Sequence, residues 1–327
     1  MTKAQAPFAC FTGSVRLESG AMAQPRKLTF YLRGTFLERA QRGEVNIVNL
    51  ISAALGSQGF SISLRADSDL AAVQSSQDPG YTMFHMHDPF HERALTMRLA
   101  YFYPYWRIEK SAQRWEWDVA REEFDPDRID PALANAFCDR LRKRLFKDEA
   151  VPDVPDLGYV YIPLQGQLSE RRSFQSMSPI DMVREVVRHE PARRIFVTLH
   201  PNENYSDFDM NALQMIEKDC DRLEIVDHSV ISLVRGCSYI ATQNSTVALM
   251  GFAFHKPAVL FAKIDFHHIS PDVFDRGAAH AIRRVMAGKP DFDRYLYWFL
   301  AEHAINAADP DSEQKVLAIL RRHQWIT

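Results

Sequence analysis

Two rhythms of apolar residues alternate through the second half of this chain. Short near-continuous apolar runs at 158–162, 195–199, 223–226, 239–242 and 258–262 read as strands. Between them lie stretches with apolar residues three or four apart. Ile180, Val183, Val186 and Val187 make one buried helix face, and Ser178, Pro179 and Asp181 supply the cap and first turn. Residues 230–234 fit a short helix and 246–254 another. Apolar strands separated by helices predict a parallel sheet covered on both faces, a Rossmann-like arrangement.

The first half shows the same grammar less regularly. Residues 28–33 read as a strand closed by Gly34, and 60–64 and 81–86 as two more. Val45, Val48, Ile51, Ala54 and Leu55 recur at helical spacing across 40–55, with Gly56 as a stop. Residues 67–80 are polar. Residues 93–117 carry a dense block of aromatics, including Tyr101, Phe102, Tyr103, Tyr105 and Trp106, for which core packing outweighs a sugar-stacking role. A helix is expected at 131–146, ending in a basic run at 140–147 that reads as a solvated face. Val151-Pro152-Asp153-Val154-Pro155-Asp156 has no helical or strand period and serves as the expected linker. The organisation predicted is a loose lead-in over 1–25, an N-terminal α/β domain over 26–150 and a C-terminal Rossmann-like domain over 151–327.

Composition narrows the class. A chain of 327 residues exceeds one small core, and 46% hydrophobic with 25% charged residues is ordinary for a soluble globular protein. A net charge of −3 offers no field to draw in nucleic acid. Cys10, Cys138, Cys220 and Cys237 are scattered without zinc-ligand spacing, as expected of free thiols in a reducing compartment. No apolar run approaches a bilayer span and the first thirty residues hold no signal core, so the expected location is cytoplasmic, with peripheral association at the inner membrane left open.

The chemistry concentrates at strand ends. One strand runs into His200-Pro201, with Glu203 just beyond, and another into Gln243-Asn244-Ser245-Thr246 at a helix start. Both clusters fall on the carboxyl edge of one parallel sheet, where α/β proteins bind nucleotides. First-turn N–H groups and the Ser245 and Thr246 hydroxyls suit a phosphate, although Asn-Ser-Thr also simply caps helices. His200 can reach a ribose or phosphate, and Pro201 stiffens its loop.

Three segments together resemble the bacterial capsule polysaccharide biosynthesis proteins, which include transferases of 3-deoxy-manno-octulosonic acid (Kdo). They are Ile162-Pro163-Leu164-Gln165 with the Ser173–Ser178 stretch, the run ending in His200-Pro201, and Gln243-Asn244-Ser245-Thr246 followed by Lys256-Pro257. The resemblance spans about 158–270. It implies a GT-B-like fold, α/β with two Rossmann-like domains facing across a cleft. It further implies a glycosyltransferase of capsule or surface polysaccharide biosynthesis and polysaccharide transport systems. The donor would be a nucleotide sugar, with a CMP-sugar favoured and Kdo as the sugar considered, and the acceptor a glycan or glycolipid. No permanently held cofactor and no metal are implied. His200 would contact the nucleotide, Ser245 and Thr246 its phosphate, and Gln165 and Ser173 the cleft. Thr198-Leu199 stand where the family often has a Lys, and Arg171-Arg172 replace a short acidic or Gly-containing run, differences that bear on the sugar.

In the first half, His85-Met86-His87-Asp88 followed by His91 and Glu92 could gather a metal, but three ligands would have to converge. The stronger functional reading makes His87 or Asp88 the group that takes a proton from the acceptor hydroxyl; the plainer alternative is a polar loop capping a helix over 90–99. Arg33, at a strand end beside Gly34, can hold a carboxylate or phosphate in the cleft. Two other classes stay open: a non-catalytic glycan-binding or assembly relative, and a nucleotide-sugar epimerase, which would need cleft carboxylates from Asp88, Glu92 or Glu203.

Overall fold

The structure is a computed structural model that describes residues 25–147, 156–288 and 290–327. The lead-in expected over 1–25 and the linker expected over 151–156 fall almost wholly outside the described residues.

The first sheet has six strands: β1 (Lys27–Leu32), β2 (Ser61–Ala66), β3 (Tyr81–His85), β4 (Ala94–Leu99), β5 (Tyr105–Glu109) and, from far along the chain, Ile305–Asn306. In space β5 lies beside β4, then β3, β1 and β2. β1 to β4 are parallel; β5 runs antiparallel to β4 and carries Ile305–Asn306 on its outer side. The helix Ser312–Arg322 then packs on the helix Asn46–Gly56, burying Leu317 and Leu320 with Ile47 and Ile51. The end of the chain thus completes the first sheet.

Three differences from the sequence pattern have physical causes. The single helix expected over 40–55 is two, Gly34–Gln41 and Asn46–Gly56. Gly43 takes φ +74, its carbonyl accepts from Asn49 Nδ2 at 2.7 Å, and Val45 is extended, so the chain turns between them. A short helix, Asp69–Ser75, forms in the polar stretch because Ser68 caps it through Ala71 N. Residues 94–99 are strand β4 and not a helix, with Leu95 and Met97 buried against Trp106 and Ile108 of the neighbouring strand.

The second sheet is all parallel. β6 (Tyr159–Pro163) is central, with β7 (Arg194–Thr198) and β8 (Leu223–Ile225) on one side, β9 (Tyr239–Thr242) and β10 (Ala258–Leu260) on the other. Val160, Ile162, Val197 and Ala241 pack on one face; Tyr161, Ile240 and Leu260 pack on the other. Burial on both faces is what the near-continuous apolar runs required. Ser178 caps the helix Pro179–His189 by accepting from Asp181 N at 3.1 Å. A Cβ at Gly251 would lie 2.4 Å from Ile240 Cδ1, so a larger residue there would displace that side chain.

The helix Pro131–Phe146 joins the halves. Of its basic run, Arg142 turns inward and its Nη1 donates to Asp293 Oδ1 at 2.8 Å, while His255 Nε2 lies 3.0 Å from the same oxygen. Burial alone would raise the Asp293 carboxyl, but the hydrogen bonds from His255 and Arg142 win and hold it down at about 2. Because the folded value lies below the unfolded one, this stability is present above about pH 4 and is lost as pH falls through about 2. Asp293→Asn should therefore cost about 2 kcal/mol at pH 7 and flatten the acid limb of the stability profile. Urea unfolding at pH 7 and pH 3 checks it; equal losses at both would contradict it.

Candidate functional site

The carboxyl ends of the two sheets face each other. Tyr101, two residues past β4, donates its hydroxyl to Asp265, five residues past β10. Trp115 of the first half stacks on Phe174 of the second, with ring centroids 5.1 Å apart. A cavity of about 330 Å³ opens beside this contact, lined by Trp115, Lys263, His267, Ser270 and Phe274. That size is in the range of small-ligand sites.

On the second sheet, the order of strands places Gln165 (β6) between His200 (β7) and Gln243 (β9) along one edge. His200 is exposed, and its loop is built to hold it: Tyr205 Oη accepts from His200 N at 2.8 Å, and Asn202 N donates to His200 Nδ1 at 3.2 Å. A ring accepting at Nδ1 carries its proton on Nε2 when neutral, so Nε2–H is the donor presented outward. Pro201 and Glu203 are exposed in the same turn.

Gln243 is buried; its Nε2 donates to Met177 O at 3.1 Å and its Oε1 has no partner among the described residues. It pins the 165–178 loop to the end of β9. Ser245 is buried, and its Oγ accepts from Val247 N at 3.3 Å, which leaves its hydroxyl proton free to donate. The helix Val247–Ala253 begins at Thr246, not at Asn244 or Ser245, and the Thr246 side chain makes no cap bond. Asn244 and Thr246 are half-buried, as is Gln165, while Ser173 is exposed on its loop. Lys256-Pro257 precedes β10 and so stands at the opposite edge of the sheet from this cluster.

On the first sheet, the three histidines of the 85–91 segment go separate ways. His85 stacks on Phe36 at 4.0 Å, and burial with the nearby Arg98 pulls it down to about 4, so it is neutral at pH 7. His91 Nε2 pairs with Ser75 Oγ at 3.2 Å. His87 forms a three-ring cluster with Phe84 and Phe90, with Nδ1 3.4 Å from Asp67 Oδ1. Among the described residues no three His, Cys, Asp or Glu converge as metal ligands. Asp88 is taken up structurally: Oδ1 accepts from Ala112 N at 2.6 Å and Ser111 Oγ at 3.3 Å. It thereby anchors the turn that leads to Trp115. Arg33 is exposed, and its Nε donates to Asp67 Oδ2 at 2.7 Å. Asp67 carried no signal in the sequence, where it is one polar residue in a polar stretch.

Two α/β halves with their carboxyl edges opposed, and a last helix that returns to the first half, make this a GT-B-like fold. That fold is shared with the β-Kdo 2,7-transferase of Thermosulfurimonas dismutans KpsC, with a TM-score of 0.52 at 11% identity over 90% of this chain and 99% of that one. More distant likenesses are the β-Kdo 2,4-transferase of the same KpsC (TM-score 0.46, 10% identity, 89% and 98% covered) and the UDP-GlcNAc 2-epimerase of Neisseria meningitidis bound to UDP-GlcNAc (0.34, 9%, 90% and 99%). No protein-family model and no curated protein matches the chain. Among the described residues no helix is long and apolar enough to cross a membrane.

Proposed function

We propose that this chain is a glycosyltransferase of surface-polysaccharide synthesis, moving a sugar from a nucleotide donor, a CMP-sugar favoured, to a glycan or glycolipid acceptor. The observation that carries the reading is the polar chemistry at the carboxyl edges of two sheets whose halves meet through Tyr101–Asp265 and Trp115–Phe174. The second sheet presents donors for an anionic nucleotide (His200 Nε2–H, the Ser245 hydroxyl and the Thr246 helix start), and the first presents a fixed imidazole at His87.

In this reading residues 26–150 form the acceptor side and the second sheet the donor side. The acceptor hydroxyl oxygen bonds to the sugar carbon as that carbon's bond to the donor phosphate oxygen breaks. His87 Nε2 takes the hydroxyl proton, and the nucleotide leaves with its charge met by Ser245 and Thr246. Of the two expected bases, His87 is favoured, because it is half-buried beside the buried Asp67 carboxylate, whereas Asp88 is exposed and its Oδ1 holds Ala112 N and Ser111 Oγ. Arg33, Gln165, Ser173 and Glu203 would line the cleft.

An epimerase reading is weaker, because Asp88 Oδ1 is taken by Ala112 N and Glu92 and Glu203 both stand exposed. A non-catalytic glycan-binding relative would leave the fixed imidazole without a task.

His200→Ala is expected to weaken CMP binding by about 1.5–3 kcal/mol, the worth of one hydrogen bond to a charged group. Isothermal titration with CMP measures it, and an unchanged affinity would remove His200 from the donor site.

A further inference from the structure

We infer that Asp67 is the positioning residue for His87: its buried carboxylate holds the imidazole in the Nδ1–H tautomer and aims Nε2 at the cleft. The inference rests on the proposed role of His87 as proton acceptor.

Asp67 follows β2, and His87 follows β3, with β1 between them in the sheet. The Asp67 side chain is fully buried, and its backbone N–H is tied to Leu32 O at 2.9 Å, at the end of β1. From there its two oxygens divide their work. Oδ2 accepts from Arg33 Nε at 2.7 Å, and Oδ1 faces His87 Nδ1 at 3.4 Å. A buried carboxylate is costly unless its lone pairs are met, so the Nδ1 proton and the Arg33 Nε–H together justify its place. Phe84 and Phe90 pack near-perpendicular to the imidazole, with ring centroids at 5.6 and 5.0 Å.

An imidazole that gives Nδ1–H to a carboxylate keeps its lone pair on Nε2, the atom that must accept a proton. Arg33 in turn holds the carboxylate from its far side. Three strand ends that are separate in sequence thus build one relay of orientation. Of His87 and Asp67, only His87 would touch the reacting hydroxyl.

The test has two parts. Long-range ¹⁵N–¹³C NMR on the intact chain, with the His87 signals assigned by their loss in His87→Gln, should show the Nδ1–H tautomer in the wild type and its loss in Asp67→Asn. In a nucleotide-release assay with sugar-nucleotide donor and acceptor, Asp67→Asn should lower kcat by about 10²–10⁴-fold with the donor KM unchanged. Asp67→Glu should recover part of it. A merely structural Asp67 would leave kcat alone while lowering Tm. An Nε2–H tautomer in the wild type, with His87→Gln inactive, overturns the role of Asp67 and spares that of His87. Full turnover in both His87→Gln and Asp67→Asn overturns both.

Discussion

Replacing His87 by Gln lowers turnover by about 10²–10⁴-fold and leaves CMP affinity within about twofold of the wild type. The expectation follows from geometry. His87 stands past the end of β3, on the first half, whereas every donor assigned to the nucleotide stands on the second. Gln matches the polarity and much of the reach of His, but its amide cannot take up a proton at neutral pH. Loss of rate without loss of binding separates a base from a binding group. Unchanged turnover would take His87 out of the chemistry, and loss of CMP binding would place the nucleotide on the wrong half.

The largest effect on stability is expected at Arg107. Its guanidinium is buried on β5 and donates to His303 O at 2.6 Å and Phe299 O at 2.8 Å, stacks over the Phe299 ring at 4.6 Å, and lies 3.9 Å from Asp265 Oδ2. It therefore ties β5, the π-helical turn Tyr297–Glu302 and the loop after β10 into one joint. Arg107→Met keeps the bulk but orphans two carbonyls and leaves Asp265 as a buried carboxylate without its cation. The expected cost is about 3–5 kcal/mol. Burial already pushes the Asp265 carboxyl above its usual range, with Arg107 the main opposing influence. Without Arg107 it rises further. A carboxyl raised in the folded state contributes stability that is full below its unfolded pKa and is lost as pH rises through the folded one, so the deficit should grow as pH rises from acid toward neutral. Arg107→Met with Asp265→Asn should recover part of the loss. Chemical denaturation measures all three, and a cost under about 1 kcal/mol would show that the joint is not held by this cluster.

Much of the second half is legible in the sequence because β6, β9 and β10 are buried on both faces and its elements are set off by local signals. Ser178-Pro179 needs no tertiary information to start a helix, and a parallel sheet puts His200, Gln165 and Gln243 at one edge by topology alone. The first half is less so. β4 and β5 are an antiparallel pair inside an aromatic block, where packing against distant residues decides between helix and strand. Ile305–Asn306 is a two-residue strand whose partner lies some 200 residues earlier, a pairing no periodicity announces. The site divides the same way. Strand-end histidines can be read off, but the commitment of Asp88 to Ala112 N and the approach of Asp67 to His87 are contacts across strands.

The central claim is that a sugar nucleotide binds the carboxyl edge of the second sheet. Thermal-shift titration with CMP, UDP, GDP and ADP tests it most directly, on the wild type and on His200→Ala side by side. One nucleotide, CMP by expectation, should stabilise the wild type by about 2.7 kcal/mol at 100 times its Kd, with a smaller shift in the variant at the same concentration. No shift with any of the four, or equal shifts in both proteins, would contradict the account.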